Sequence, residues 1–169
     1  SCVLNQEEAM RAIIEESWLK QPVWYKLYKT ALVRDILFPK GKCHEDVFWS
    51  YQAVGSAKKV SVSDHVGYYY LQRGGSIMGA GYSLKRLDAV EAKVQRCAYI
   101  QERFPALSPL ATNNLWFTCI YHGQLALRNL DEKAVAQVMA FLQSVLKSNP
   151  VVTDGCTWKE RIWLRMAQL

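Results

Sequence analysis

His44-Glu45-Asp46-Val47-Phe48-Trp49-Ser50-Tyr51-Gln52-Ala53-Val54 decides how the first half of the chain folds. Two acids and a mostly apolar run, behind the Pro39-Lys40-Gly41-Lys42 loop, predict a helix over residues 45–54, because carboxylates suit the positive end of a helix. A histidine and two carboxylates then stand at a helix start, with cationic side chains on both flanks. Such a group suits moving a proton beside a negatively charged leaving group.

Upstream, Asn5-Gln6-Glu7-Glu8 has the spacing of a capping box, and Met10, Ile13, Ile14 and Trp18 recur on one helical face, which predicts a helix over 6–18. Pro22 ends it. Residues 23–28 alternate aromatic and polar side chains and predict a short strand, with a turn of helix near 32–35. Downstream, residues 59–63 and 66–72 predict two strands joined by a tight turn at Asp64-His65, a β-hairpin that Gly74-Gly75 breaks.

After Gly79 and Gly81 the pattern turns to helix upon helix. Ser83 is the expected cap of a helix carrying Leu84, Leu87, Val90, Val94 and Cys97 to about Phe104, and Ser108-Pro109 that of a very apolar one carrying Leu115, Trp116, Cys119, Ile120 and Leu127. Asp131 caps a third, with Val135, Val138, Leu142 and Val145 inward until Asn149-Pro150, and Trp158, Ile162 and Met166 mark a fourth. The expected fold is α+β and predominantly helical: short strands and a hairpin in residues 1–78, then a C-terminal four-helix segment in 79–169. No repeat or low-complexity tract is present.

At 169 residues and 50% hydrophobic, the chain can bury a sizeable core. Its net charge of +6 is unevenly spread: residues 20–96 hold 13 basic and 6 acidic side chains, around His44-Glu45-Asp46. An anionic ligand would gain from that surplus. Cys2, Cys43, Cys97, Cys119 and Cys156 form neither a disulfide framework nor a zinc pattern, which fits a reducing cytoplasm. No apolar run approaches the roughly 20 residues a bilayer span requires. A start at Ser1 rather than Met suggests a piece of something longer.

Three ordered segments now carry a resemblance: Trp24-Tyr25-Lys26-Leu27-Tyr28-Lys29, then Phe38-Pro39-Lys40-Gly41-Lys42-Cys43-His44-Glu45-Asp46, then Tyr68-Tyr69-Tyr70-Leu71-Gln72-Arg73-Gly74-Gly75-Ser76-Ile77. Together they resemble the second half of the catalytic domain of family 2 glycosyltransferases of the GT-A fold, of the bacterial surface-polysaccharide type. The resemblance covers residues 20–87 best.

It implies transfer of a sugar, with inversion, from a nucleoside-diphosphate sugar to a glycan or lipid-linked acceptor. Asp46 would be the base toward the acceptor hydroxyl, with Glu45 orienting that base or the acceptor. A diphosphate leaves as an anion and needs positive charge where an inverting hydrolase needs a second acid, and Lys26 and Arg73 are the expected suppliers. Trp24, Tyr25 and Tyr70 are candidates for stacking on the acceptor sugar, and His44 and Ser76 complete the expected substrate-binding set. The blander readings are surface acids for Glu45-Asp46, a capping role for His44, and core packing for Trp24, Tyr68 and Tyr70.

One departure from the family matters. Its first half, ending in an Asp-x-Asp type motif that holds Mn²⁺ or Mg²⁺ against the diphosphate, has no counterpart here, so a divalent cation is expected in the full-length enzyme with its ligands outside this chain. The chain thus reads as an acceptor-side fragment, inactive alone, whose exposed strand edges favour a homodimer. The Trp158-Lys159-Glu160-Arg161-Ile162-Trp163 stretch reads first as a packed helix and second as a peripheral contact with the inner face of the plasma membrane. The rival from another class is a non-enzymatic helical module binding a partner protein or a membrane surface. Nucleic acid is not an expected partner, for no recognised motif accompanies the basic charge.

Overall fold

Asn5 sets the first helix. Its side chain accepts from the Glu8 backbone N–H at 2.9 Å and the Glu8 carboxylate accepts from the Asn5 N–H at 2.8 Å, the reciprocal box expected from the sequence. The computed structural model describes residues 1–16, 18–71 and 81–152, and the chain divides into two units, residues 1–81 and 82–169.

In the first unit, strand β1 (Cys2–Asn5) leads into helix α1 (Gln6–Glu15), followed by a single helical turn α2 (Thr30–Val33), helix α3 (Glu45–Ser56) and strand β2 (Lys59–Val62). Helix α1 stops three residues short of the expected 18 because Glu16 turns into the left-handed region at φ 52°, where its N–H closes on Ala12 O. Ala9, Met10, Ile13 and Ile14 of α1 are buried, and α1 packs on α3, which buries Val47, Phe48, Tyr51 and Val54. Gln6 Nε2 ties the start of α1 to Gly55 O at 2.6 Å.

The sheet corrects two expectations. β2 pairs antiparallel with β1, Cys2 opposite Val62 and Asn5 opposite Lys59, and not with residues 66–72 in a hairpin. Residues 66–71 form no strand, and Gln72 lies outside the described residues. Their β-forming side chains are held by ring stacking instead of a ladder, as described below. Nor do residues 23–28 form a strand: Lys26 N–H closes a turn on Val23 O at 3.2 Å, a bond inside the segment that takes a donor and an acceptor a ladder would need.

In the second unit, helices α4 (Asp88–Arg103), α5 (Ser108–Asn129) and α6 (Glu132–Ser148) pack in sequence, α5 against both neighbours. Val90, Ile100, Leu115, Trp116, Ala126, Val138 and Leu142 form the core, which explains why α5 is apolar nearly all round. Asp131 caps α6 by accepting from Ala134 N–H at 2.9 Å, as expected. The other two caps differ: the turn Leu84–Leu87 intervenes before α4 with no Ser83 side-chain cap bond, and Ser108 is already inside α5, its buried hydroxyl unpartnered among the described residues. The turn Pro105–Leu107 brings the chain into α5 without needing that cap. The expected fourth helix around Trp158 lies outside the described residues. Among the described residues no helix is long and apolar enough to cross a membrane.

Candidate active site

Asp46 stands in the first turn of α3, preceded by His44 in the left-handed region at φ 56° and ψ 40°. That conformation is costly for a residue with a Cβ. It turns the Gly41–His44 approach sharply into the helix and leaves His44 O to accept the Val47 N–H at 3.0 Å. Glu45 is exposed while Asp46 is half-buried, so the two acids differ in environment although adjacent.

Burial raises the Asp46 carboxyl above the ordinary range, and the neighbouring Glu45 charge raises it further. The N–H of Val47, the charge of His44 and the N–H of Asp46 itself act the other way. The outcome is a carboxylate with more proton affinity than a surface aspartate, which suits a general base.

The loop from Lys20 to Lys26 lies within electrostatic range of this carboxylate. Tyr25 and Lys26 both feel the Asp46 charge. Lys26 Nζ donates to Lys20 O and to Pro22 O, each at 2.6 Å, and lies 3.9 Å from the centre of the Tyr25 ring. Tyr25 Oη donates to Lys20 O at 2.6 Å. Below the loop, Ser50 Oγ donates to Gln21 O at 2.6 Å and Gln21 Nε2 donates to Ile13 O at 2.9 Å, so the loop is anchored to α3 and α1 through buried groups.

Trp24 is the hub of an aromatic group. Its ring lies 5.1 Å from Tyr25, edge to face, 4.7 Å from Tyr68 and 5.0 Å from Tyr70. Trp24 remains 44% and Tyr70 52% exposed, so the group is a surface one. A second set, Phe38 stacked 5.0 Å from Trp49 with Tyr28 edge-on at 4.8 Å, is pinned by Trp49 Nε1 donating to Ile36 O at 2.8 Å. Trp49 follows Asp46 by three positions on α3, which fixes the 28–38 segment along the same side of the helix.

The structure thus brings Asp46, Lys26, Tyr25, Trp24 and Tyr70 into one connected region, with Glu45 and His44 beside Asp46. Arg73 and Ser76 lie outside the described residues. Lys26 is less free than the sequence suggests, because carbonyls already take two of its N–H groups. The sequence reading missed Gln21 and Ser50 as supports of the site; a serine four residues after Asp46, inside an apolar helix, was the available signal. Among the described residues no three His, Cys, Asp or Glu side chains are grouped to hold a metal ion. In comparisons with known proteins, the chain matches no family model, no curated protein and no solved structure.

Proposed function

We propose that this chain is the acceptor-side part of an inverting glycosyltransferase that uses a nucleoside-diphosphate sugar. The observation that carries the reading is the half-buried Asp46 carboxylate, raised in proton affinity, beside the Lys20–Lys26 loop and its exposed aromatic group. Asp46 takes the proton of the acceptor hydroxyl as the acceptor oxygen forms its bond to the anomeric carbon. The bond from that carbon to the diphosphate breaks on the opposite face, and the nucleoside diphosphate leaves with the electron pair.

Glu45 and His44 orient the acceptor hydroxyl, and Trp24 and Tyr70 offer apolar ring faces to the acceptor sugar. Arg73 is the cation assigned to the departing diphosphate, since its planar fork matches phosphate oxygens, with Ser76 on the same segment. The divalent cation expected for such a donor would neutralise the diphosphate from ligands outside these residues. The acceptor is a glycan or a lipid-linked sugar, and the site of action is the cytoplasmic face of the plasma membrane.

Asp46→Asn in the polypeptide that joins this chain to its donor-binding segment tests the reading. Loss of a positioned general base should lower transfer by about 10²–10⁴-fold. Undiminished transfer would remove the proposal. It would favour the second reading, a helical binding module, for which the exposed Tyr121, Leu127, Met139 and Phe141 of the second unit offer apolar surface.

A further inference from the structure

The Lys26 ammonium is folded back into the chain at several points at once. It spans from residue 26 to the carbonyls of residues 20 and 22, covers the Tyr25 ring, and faces the Asp46 charge. The same Lys20 carbonyl accepts the Tyr25 hydroxyl, so a single oxygen gathers the side chains of two successive residues. Trp24 sits between these attachment points in sequence and carries Tyr68 and Tyr70 on its ring. The loop has no ladder or helix to hold it: Gln21 anchors its start to α1 and α3, and beyond Gln21 its shape rests on these side-chain bonds and on the Lys26 N–H to Val23 O turn.

We propose that Lys26 is a positioning residue of the acceptor site: by clamping the Lys20 and Pro22 carbonyls it sets where Trp24 and Tyr25 stand relative to Asp46, and it governs acceptor binding without touching the diphosphate. This rests on the glycosyltransferase reading for its substrate but not for its structural content. An ammonium making two short bonds to carbonyls and lying over an aromatic face has its donors and its charge satisfied within the chain, which leaves little for a phosphate. Charge-assisted bonds of this kind are stronger than neutral ones, so the clamp depends on the proton.

Burial lowers the Lys26 ammonium to about 8, against the opposing pull of Asp46. The groups facing it are Asp46 on α3 and Tyr25 on its own loop, with Glu16 acting on Tyr25 from the end of α1 and Tyr28 coupled to Tyr25 from the following segment. Lys20 is turned away, its ammonium bonded to Glu16 O. The clamp should therefore loosen within the mildly alkaline range.

Amide hydrogen exchange on the 169-residue chain tests this without any transfer reaction. Lys26→Met keeps the stem and removes the donors, and protection of the residue 26 amide should fall about tenfold or more while α1 and α3 amides stay unchanged. In the wild type the same protection should fall as pH passes about 8. Lys26→Arg, which stays protonated, should keep protection and lose that pH step. Equal protection in wild type and Lys26→Met, or an alkaline step surviving in Lys26→Arg, overturns the clamp.

Kinetics supply the second arm, in the polypeptide that carries the donor site. Lys26→Met should raise the acceptor KM about tenfold with the donor KM nearly unmoved. A rise confined to the donor KM would return Lys26 to the phosphates and overturn the assignment. Absence of transfer in every variant would sink the glycosyltransferase reading while leaving the exchange result to decide the clamp.

Discussion

Trp24 and Tyr70 lie 5.0 Å apart, centre to centre, with their rings 12° from parallel. Forty-six positions separate them in sequence, and with Tyr68 this stack is what gathers the 66–71 segment onto the Lys20–Lys26 loop. Residues that look like a strand are thus kept in place by ring faces.

Trp24→Ala should release that segment. One stacked and one tilted ring pair, at about 0.5–1.5 kcal/mol each beyond area burial, predict a loss of about 1–3 kcal/mol in urea unfolding, with faster exchange in 66–71. Trp24→Phe should recover much of it.

Asp46→Asn separates activity from stability. Its carboxyl titrates above the unfolded value, so its contribution is favourable at acid pH and is lost as pH rises through the folded-state pKa; at pH 7 the ionised group is a cost to the fold. The asparagine variant should match or exceed the wild type in thermal midpoint at pH 7, the gap closing toward pH 4. A marked fall in midpoint at pH 7 would point to a structural role for the carboxylate.

Tyr28 carries a buried hydroxyl without a hydrogen-bond partner among the described residues, and burial raises its pKa well above the ordinary tyrosine value. Removing an unsatisfied buried donor should help: Tyr28→Phe is expected to stabilise by about 1 kcal/mol, read as a higher urea midpoint at constant slope. The ring contact with Trp49 would persist.

Gly123 lies inside α5, and a Cβ there would meet Leu142 Cδ1 at 3.6 Å and Met139 Sδ at 3.7 Å, both ordinary contacts. Gly123→Ala should therefore gain about 0.5–1 kcal/mol from helix propensity and a stiffer unfolded chain. A loss on thermal unfolding would mean that α6 cannot accommodate one methyl group.

Local chemistry was the legible part. The Asn5–Glu8 box, the Asp131 cap and the acidic start of α3 are each contained within a few residues, and the structure has all three. The central place of α5 was likewise visible: Leu115, Trp116 and Cys119 are buried between its neighbours as the apolar pattern implied, although Leu127 of the same pattern is exposed. Strand pairing was not: Cys2–Asn5 is four residues with no alternation to mark it, and only β2, brought back by α3, makes it a strand. Residues 66–71 have the composition of a strand, but Tyr68 and Tyr70 find Trp24 first.

For the candidate site, the sequence showed which groups are present and not how they are spent. Asp46 was legible as an acid at a helix start, and its unequal burial relative to Glu45 was not. Lys26 read as a free cation because nothing in a sequence marks the carbonyls of Lys20 and Pro22 as its partners.

The β1–β2 ladder, closing Cys2 onto Val62, carries a consequence for biogenesis. A nascent chain cannot zip that ladder until Val62 has left the ribosome, whereas α4, α5 and α6 join neighbours that follow one another directly. The first unit is thus expected to wait, partly unsealed, and a chaperone has that interval in which to shield its apolar residues.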